Sequence, residues 1–265
     1  MELKYVLLAF LIGLFSAWYS STVGLGGSLV LRPLIRIILE VPGKIALGTP
    51  AGLNIIAAAS GTYIYWKKKL VIWKVAIITG ICGGLTAIAG AGLTTFFTGK
   101  QMMLIISGFI FILAVALIFR EEKIEAEEKA IHHSVHHKLT HPVKKSIFVG
   151  LIVGLASGFL GLGGGFIIVP LFMFLFEVES HHAVATSLAA VMILSVPSAI
   201  THYYLGNIQI LLLAICGVGA LIGGQIGSRT VVRIHSKTLR WIVITSYFIV
   251  SISLAVFELL NAGLN

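Results

Sequence analysis

The sequence predicts an all-α, polytopic membrane protein on three observations: an apolar composition, long uncharged runs and an internal repeat. Apolar residues make up 58% of the 265-residue chain and charged residues 11%, and the mean hydropathy is +1.03. A soluble domain is about 25% charged because water must solvate its surface. This chain has too little polar material for such a surface, so lipid is expected to contact most of its outside.

The apolar runs are long enough to cross a bilayer as helices. Crossing a hydrocarbon core of about 30 Å takes about 20 apolar residues in a helix, and a helix satisfies its own backbone hydrogen bonds in lipid. None of the runs alternates in the manner of a β-strand. The clearest nearly uncharged runs are residues 3–18, 71–97, 101–119 and 241–257.

The chain also repeats itself at one constant offset. The sequence Gly-Leu-Gly-Gly at 24–27 recurs at 161–164, an offset of 137 residues, the difference between 161 and 24. The same offset aligns further pairs without a gap: Pro33 with Pro170, Ala46 with Ala183, Thr49 with Thr186 and Gly80 with Gly217. We therefore predict a first transmembrane repeat at 1–119, a cytoplasmic linker at 120–145 and a second transmembrane repeat at 146–265.

Each repeat contains five apolar segments, and the second of each is only about a dozen residues long. A segment of that length is typical of a broken or re-entrant helix; whether these two span or re-enter is left open. The segments are residues 3–19, 28–39, 45–65, 71–92 and 101–119, and then 146–160, 165–176, 182–204, 208–228 and 238–258.

The placement of lysine and arginine predicts that the two halves point in opposite directions. The turn at 67–69 is three lysines, whereas its counterpart at 204–206 carries no charge; conversely, residues 229–240 are rich in basic residues and their counterpart holds only Lys100. Because cytoplasmic loops are rich in Lys and Arg, residues 67–69, the linker and 229–240 are expected in the cytoplasm, with both termini outside. Inverted repeats of this kind are common in secondary transporters, and the expected location is the cell membrane of a prokaryote.

Composition and motifs argue against several other classes. The net charge of +9 lies in short connections rather than on one continuous face, so nucleic acid is not an expected partner. Cys82 and Cys216 lie in apolar runs and are interpreted as packing residues. The histidines between 132 and 141 belong to the polar linker, where a solvated surface is favoured over a metal site. The sequence has no Walker A pattern and no GxGxxG motif, and no cofactor, metal or enzymatic activity is expected.

The two glycine-rich breaks are the features best suited to binding a substrate. They lie between apolar segments at 24–28 and 161–165, and a proline follows each GLGG after five residues. Glycine adopts φ > 0 easily, and successive amides that lead into a helix N-terminus attract anions. Broken helices near the mid-membrane commonly hold anionic substrate groups. A tight helix crossing is the alternative interpretation, but the repetition of the motif favours a substrate site.

These paired GLGG-x5-P motifs resemble the TauE/SafE family of sulfite exporters and related permeases. The Thr49-Pro50 pair, the Ala-Thr-Ser at 185–187 and the basic or polar turn that closes the third segment of each half belong to the same resemblance, which covers the whole chain. Membership implies export or uptake of sulfite, sulfonates or similar organosulfur anions. The halves differ where Pro50 stands against Ser187 and Arg32 against Val169, so they are expected to contribute unequally.

Four polar residues inside the apolar segments are candidate substrate contacts. Thr49 and Thr186 are repeat-related and adjoin the short segments, and Asn54 follows Thr49 by about a turn and a half. Arg32 lies inside the short second segment. It is interpreted either as a counter-ion for the substrate or as a residue that snorkels to the interface with Arg36.

The acidic residues also bear on the cargo. The sequence contains no aspartate, and its glutamates lie in loops or near helix ends. Since cation and many proton-relay transporters rely on buried carboxylates, an anionic cargo is favoured. If protons are coupled to transport, His202 or the substrate itself is expected to carry them.

Together these features predict a membrane permease, not an enzyme, that moves a small sulfur-containing or carboxylate anion by alternating access. An anion channel and a non-transporting membrane scaffold or enzyme are the alternatives. The expected partners are the anionic substrate and the lipid bilayer, and a homodimer is left open. The expected substrate-binding residues are Gly24, Gly26, Gly27, Ser28, Arg32, Thr49, Asn54, Gly161, Gly163, Gly164, Gly165, Thr186 and Ser187.

Overall fold

The computed structural model describes residues 3–24, 28–93, 99–119, 141–160, 163–176 and 178–260, and every regular element within these ranges is an α-helix. The helices are α1 (Leu3–Val23), α2 (Ser28–Ile38), α3 (Gly43–Lys67), α4 (Trp73–Leu93), α5 (Gly99–Phe119), α6 (Pro142–Leu160), α7 (Gly165–Phe176), α8 (Ser180–Tyr204), α9 (Ile210–Val231) and α10 (Ser236–Leu260). The all-α fold class is confirmed, and each apolar segment of the sequence corresponds to one helix. Most of the linker, residues 120–140, lies outside the described residues.

Two of these helices are much shorter than the rest. α2 has 11 residues and α7 has 12, whereas α6 has 19 and α8 has 25. At about 1.5 Å per residue, α2 and α7 are about 17 and 18 Å long. Neither is long enough by itself to cross a hydrocarbon core of about 30 Å.

The outward faces of the long helices are apolar. Exposed side chains form a stripe along α1 (Leu3, Leu7, Leu11 and Phe15) and another along α4 (Ile77, Ile81, Leu85 and Ile88). Many of the serine and threonine side chains are instead buried inside the bundle. Such stripes would be costly in water, but they suit a hydrocarbon solvent. Among the described residues, 4 helices (α1, α4, α8 and α9) are long and apolar enough to cross a membrane, and the chain is a multi-pass membrane protein.

Glycine seams hold two pairs of helices in close contact, α1 with α9 and α4 with α6. These two contacts are the most extensive among the described helices. Along each seam the residue numbers of both partners rise together, so the paired helices run parallel. The two seams are repeat counterparts, because the 137-residue offset relates α1 to α6 and α4 to α9. The seam contacts are Gly219 with Phe10, Gly223 with Leu14 and Gly227 with Trp18, and then Gly154 with Gly83 and Gly158 with Ala87.

The repeat counterparts α3 and α8 pack on each other in opposite directions. Near the start of α3, Gly48 contacts Asn207 in the turn after α8. Near the end of α3, Gly61 contacts Leu188 in the first half of α8. One residue number rises while the other falls, so α3 and α8 are antiparallel. These two repeat counterparts therefore run in opposite directions along the bundle.

Basic residues collect at one end of the bundle, which we call the basic end. It brings together the turn after α3, the start of α6 and the turn after α9, which contain Lys67, Lys68, Lys69, Lys144, Lys145, Arg229 and Arg233. Hydrogen bonds tie these elements to α7 and α8: His182 Nδ1 to the Leu70 carbonyl (2.8 Å), Lys145 Nζ to the Leu175 carbonyl (2.5 Å) and His181 Nε2 to the Val231 carbonyl (3.1 Å). The opposite end, which we call the far end, is formed by the start of α3 and the turn after α8.

A half-buried carboxylate fastens the start of α8 to the turn before α10. His181 Nδ1 lies 3.3 Å from Glu179 Oε1, and Ser236 Oγ donates to the same oxygen at 2.5 Å. The other ring nitrogen of His181 faces the carbonyls of Val231 and Ile234 at 3.1 and 2.9 Å. The hydrogen bond from His181, helped by Ser236, outweighs the opposing effect of burial and lowers the pKa of Glu179 to about 2. Glu179 is therefore ionised at neutral pH and holds this turn in place.

Candidate functional site

The first glycine break is tightly packed between the two halves. α1 ends at Val23, and Gly24 has φ +75°, a left-handed conformation that glycine adopts without strain. A Cβ at Gly24 would lie 2.7 Å from Val169 Cγ2 of α7. The Gly24 carbonyl accepts a hydrogen bond from Ser187 Oγ of α8 at 3.0 Å. Two of the expected site residues, Gly24 and Ser187, are thus in direct contact.

The second break places the start of α7 at mid-height in the bundle. Gly163 and Gly164 have φ of +77° and +71°, and α7 begins at the buried Gly165. Gly164 packs against Ser157 of α6 and Leu194 of α8. Leu194 lies close to the middle of α8, which runs from 180 to 204. The positive end of the α7 dipole is therefore inside the bundle, about halfway between its two ends.

The corresponding start of α2 is described only in part. α2 begins at Ser28. Gly26, Gly27 and Gly161 lie outside the described residues, as does the side chain of Ser28. The geometry of the expected glycine site is accordingly observed at Gly24 and at residues 163–165.

Thr49 and Thr186 make equivalent contacts, but not with each other. Thr49 Oγ1 accepts a hydrogen bond from the Gln209 amide at 3.3 Å, and Thr186 Oγ1 accepts one from the Ile72 amide at 3.1 Å. Both threonines are fully buried. Thr49 lies near the start of α3 at the far end, and Thr186 lies near the start of α8 at the basic end. The structure does not bring them to one site. Thr49 holds the turn after α8, and Thr186 holds the turn after α3.

Near the Gly24 break, α1, α3 and α9 meet in a group of buried hydroxyls that we call the hydroxyl cluster: Ser21, Tyr65 and Ser228, arranged around Gly61. Tyr65 Oη donates to the Ser21 carbonyl at 2.6 Å. A Cβ at Gly61 would lie 2.6 Å from Ser21 Oγ and 2.8 Å from Ser228 Oγ. Sequence analysis did not single out Tyr65, Gly61 or Ser228. A tyrosine inside an apolar segment was the available signal, because a buried phenol usually has a hydrogen-bond partner.

Several other hydroxyls inside the bundle are buried and lack a protein hydrogen-bond partner. In the described part of the chain they include Ser16 and Ser20 on α1, Thr62 on α3 and Ser195 on α8. Ser195 follows Leu194, the residue that contacts the start of α7. A buried polar atom without a partner costs free energy, so these hydroxyls are available for water or for a polar substrate.

Arg32 is buried rather than snorkelled. Its exposed fraction is 7%, whereas Arg36, one turn further along α2, is exposed and donates from Nη1 to the Val41 carbonyl at 2.9 Å. Asn54, also buried with 2% exposed, lies near the middle of α3.

Two cavities lined by described residues lie on outer faces of the bundle. One, of about 560 Å³, is an apolar groove along α10 that includes Trp241 and Phe248. The other, of about 400 Å³, runs between α4 and α8 past Gly84 and Pro197. Both have almost wholly apolar walls, which suits lipid chains better than an anion. Within the same described residues, no group of three or more His, Cys, Asp and Glu side chains is arranged to hold a metal ion.

Comparison with known proteins agrees with this architecture. A model of the sulfite exporter TauE/SafE family matches residues 9–254. The probable membrane transporter protein YunE of Bacillus subtilis (strain 168) is 26% identical over 252 residues, covering 89% of this chain and 92% of that protein. A probable membrane transporter protein of Xylella fastidiosa (strain Temecula1) is 27% identical over 217 residues, covering 81% and 80%. The probable membrane transporter protein MJ0441 of Methanocaldococcus jannaschii is 22% identical over 249 residues, covering 89% and 88%.

No solved structure matches the chain. The names of the family and of these relatives indicate a transporter rather than an enzyme. The family match runs from the second turn of α1 to the end region of α10 and includes both glycine breaks. The chain belongs to the sulfite exporter TauE/SafE family of membrane transporter proteins.

Proposed function

We propose that the protein is a secondary transporter that carries a small anion, such as sulfite, a sulfonate or a related organosulfur anion, by alternating access. The observation that supports it most directly is the position of α7, a half-length helix whose N-terminus begins beside Leu194 at mid-height in the bundle. A helix N-terminus carries about half a positive charge and unpaired backbone amides. Such an end inside a membrane protein favours a negatively charged ligand.

The surrounding side chains also favour an anion over a cation. The sequence has no aspartate. Of the glutamates whose side chains the structure describes, Glu40 is exposed, and Glu179 is engaged by His181 and Ser236 at the basic end. Buried hydroxyls such as those of Ser20 and Ser195 can donate hydrogen bonds to the oxygens of an anion. Their present lack of a protein partner leaves that capacity free.

We propose that the substrate site lies where α7 and its repeat counterpart α2 begin. Its proposed members are Gly24, Gly26, Gly27, Ser28, Asn54, Gly161, Gly163, Gly164 and Gly165. Thr49 and Thr186 are left out because each is already bonded to a turn of the other half.

The antiparallel arrangement of the halves supplies a route to alternating access. Repeat-related elements face opposite ends of the bundle, so an exchange of conformation between the halves would open the site to one side and close it to the other. In the present conformation the hydrogen bonds from Ser187 to Gly24 and from Tyr65 to Ser21 join three helices towards the basic end. With basic residues on the cytoplasmic side, we propose that these hydrogen bonds must break for the site to open towards the cytoplasm.

The test is flux into proteoliposomes that contain the purified protein. Sulfite, sulfoacetate, taurine, sulfate and acetate are supplied in turn, and we expect saturable, gradient-dependent uptake of at least one sulfur-containing anion and counterflow by the same compound. Uptake that does not saturate and shows no counterflow would indicate a channel. Uptake of none of these compounds would overturn the proposal.

A matched pair of variants tests the site. Gly164→Ala is expected to reduce flux at least tenfold, because the new Cβ would meet Val153 Cγ1 at 2.6 Å on a backbone with φ +71°. Gly108→Ala on α5 adds a methyl group where nothing lies within 4 Å, and it should transport normally. Unchanged flux in a folded Gly164→Ala protein would contradict the proposed site.

A further inference from the structure

The imidazole of His181 faces hydrogen-bond acceptors at both of its nitrogens. Nδ1 lies 3.0 Å from Ser236 Oγ and 3.3 Å from Glu179 Oε1. Because the Ser236 hydroxyl gives its hydrogen to Glu179 at 2.5 Å, its oxygen is left to accept from the ring. Nε2 lies 2.9 Å from the Ile234 carbonyl and 3.1 Å from the Val231 carbonyl. The histidine is buried, with 9% exposed, so these four oxygens are the partners of the ring.

This arrangement requires a proton on each ring nitrogen. A neutral imidazole has one N–H donor, and its other nitrogen carries a lone pair. In either neutral tautomer that lone pair would face oxygen lone pairs in a buried position, which costs free energy. The doubly protonated ring donates on both sides, and its charge is balanced by Glu179, which is ionised at neutral pH. His181 is therefore a buried imidazolium in this conformation.

The other two histidines of α8 have different surroundings. His182 Nδ1 faces one acceptor, the Leu70 carbonyl at 2.8 Å, and a neutral ring satisfies it. His202, which sequence analysis named as a proton carrier, lies at the other end of α8, where its Nδ1 is 3.5 Å from Asn207 Nδ2. An amide nitrogen is a donor, so that ring nitrogen accepts. The demand for two protons is specific to His181 among these three.

The remaining charged groups at the basic end are mostly cationic, so they oppose a positive charge on His181. They lie in the turn after α3, at the start of α6, in the turn after α9 and at the start of α10: Lys67, Lys68, Lys69, Lys144, Lys145, Arg233, His235, Lys237 and Arg240. Glu177 lies outside the described residues. His181 therefore keeps its proton through the carboxylate of Glu179 and the carbonyls that face it.

The imidazolium joins two helices that otherwise have little contact. In the part of the chain that the structure describes, α8 and α9 are not a closely packed pair, although α3 packs against both. His181 lies in the first turn of α8 and binds Val231 at the end of α9, one turn after Ser228 of the hydroxyl cluster. Two turns further along α8, Ser187 bonds to the Gly24 carbonyl. The His181 contacts therefore lie just outside the hydrogen bonds that we propose must break when the site opens.

We propose that His181 is a regulatory proton site: its imidazolium holds the basic end closed, and loss of the proton to the cytoplasm lets the substrate site open to that side. This inference rests on the proposed alternating-access transport and adds control of its cytoplasmic opening by pH. Once α8 separates from the turn after α9, the ring is in water, where an imidazole loses its proton near a pH of about 6.5. Opening above that pH releases one proton, so the open population rises with pH, by up to about tenfold per pH unit.

The position of His181 makes this a regulatory proton rather than a transported one. His181 is 13 residues before Leu194, which lies beside the start of α7, and this separation is about 20 Å along the helix. The proton is therefore exchanged with the cytoplasm and not with the far end. The repeat counterparts of Glu179, His181 and Ser236 are Pro42, Lys44 and Gly99. These residues cannot form an imidazolium–carboxylate pair, so the pH sensitivity should be confined to the basic end.

The first measurement is the protonation state of the ring in the purified protein, labelled with 15N-histidine. Solid-state NMR distinguishes protonated from unprotonated ring nitrogens, and the signals lost in His181→Gln identify His181. We expect both of its ring nitrogens to be protonated at pH 7, where a histidine in water is mostly neutral. An unprotonated ring nitrogen at this pH would overturn the proposal.

The second measurement follows opening without any substrate. Ser228→Cys, in a Cys82→Ala and Cys216→Ala background, places a thiol at a fully buried position of the basic end. A membrane-impermeant maleimide is added to inside-out vesicles, whose outer face is the cytoplasmic one, between pH 6 and 8. Thr238→Cys at an exposed position corrects for the reactivity of the thiolate. The corrected labelling rate should rise with pH, by up to about tenfold per unit.

Four variants connect this pH dependence to the imidazolium. His181→Gln removes the titrating group, so labelling should no longer depend on pH. His181→Lys keeps a positive charge and should label slowly even at pH 8. Glu179→Gln leaves the histidine in place and should shift the rise to lower pH, which keeps the test valid if His181→Gln does not fold. His182→Gln is the matched control and should keep the wild-type profile. A wild-type profile in folded His181→Gln would reject the proposal.

The outcomes separate this inference from the proposed function. Wild-type protein that labels with the expected pH dependence but carries none of the tested anions would reject the transport function and support the pH-controlled opening. Anion flux together with pH-independent labelling would reject this inference alone. A proton that crosses the membrane with the anion, and no longer does so in His181→Gln, would overturn the regulatory role.

Discussion

The turns that follow α3 and α8 are built alike, whereas the helix breaks that precede these helices are not. Each turn is held by a threonine of the other half: Thr186 accepts the Ile72 amide, and Thr49 accepts the Gln209 amide. Ile72 and Gln209 are themselves separated by the 137-residue offset. The breaks keep their glycines, but Tyr65, which bonds to Ser21 near the first break, has His202 as its repeat counterpart.

This difference separates scaffold from chemistry. A contact that recurs at the repeat offset has the same structural role in each half. We therefore interpret such a contact as one that positions helices. A position where the halves differ cannot be required by the shared scaffold alone. Arg32 against Val169 and Pro50 against Ser187 are such positions, and Val169 and Ser187 both contact the Gly24 break. The chemistry specific to this protein is therefore to be sought there.

The glycine seams give the largest expected effect, and the two seams, each of which joins one helix of either half, should behave alike. A Cβ at Gly154 would overlap the Gly83 carbonyl, and one at Gly223 would overlap the Leu14 carbonyl. Because backbone cannot move aside as a side chain can, Gly154→Leu and Gly223→Leu should each cost about 3 kcal/mol or more. Thermal melting in detergent measures the loss, and Gly108→Leu on the open face of α5 is the control. Strong damage at only one of the two seams would show that the two seams are not mechanically equivalent.

The carboxylate at Glu179 gives a smaller effect and should have no equivalent in the other half, because its repeat counterpart is Pro42. Glu179→Gln removes a charge-assisted hydrogen bond and should cost about 2 kcal/mol at pH 7. The pKa of Glu179 is lowered to about 2, first by the hydrogen bond from His181. A carboxyl group with a depressed pKa stabilises the fold above its ordinary pKa of about 4.3, and that contribution is lost as the pH falls towards 2.

Melting curves at pH 7, 4.5 and 3 test this sign. The difference in melting temperature between the wild-type protein and Glu179→Gln should be largest at pH 7 and smaller at pH 3. Ser236→Ala should show the same trend with a smaller amplitude, because it removes one of the two donors to the carboxylate. A difference that grows on acidification would contradict the ionised state of Glu179.

The helices were predictable from the sequence because a long apolar run in lipid forms a helix. The segment expected at 165–176 is α7 residue for residue, and the one expected at 182–204 differs from α8 only at its start. The half-length of α2 and α7 was also visible as a short run. No tertiary contact had to be known for these predictions, since backbone hydrogen bonding in a bilayer leaves the helix as the available structure.

The candidate site was harder to predict, because a repeat shows equivalence and not proximity. Thr49 and Thr186 are equivalent, but α3 and α8 are antiparallel, and equivalent residues near their starts therefore lie at opposite ends. The hydroxyl cluster joins Ser21, Tyr65 and Ser228 from three helices that are far apart in sequence. No spacing rule within one segment connects them, and only the packing of α1 and α9 on α3 reveals the group.

The smallest expected effect concerns Thr49 and Thr186. It tests whether these threonines stabilise the two turns or bind the substrate. Thr49→Val and Thr186→Val keep the side-chain shape and remove one hydrogen bond each, so each should cost about 1 kcal/mol of stability. If the threonines only stabilise the turns, both variants should lower the melting temperature by similar amounts. The KM for sulfite should then stay within twofold of the wild-type value. Thr201→Val is the control, since that hydroxyl donates only to the Pro197 carbonyl of its own helix at 2.9 Å. A large rise in KM with an unchanged melting temperature would make the threonines substrate ligands and would require α3 and α8 to bring each of them to the anion in a different conformation.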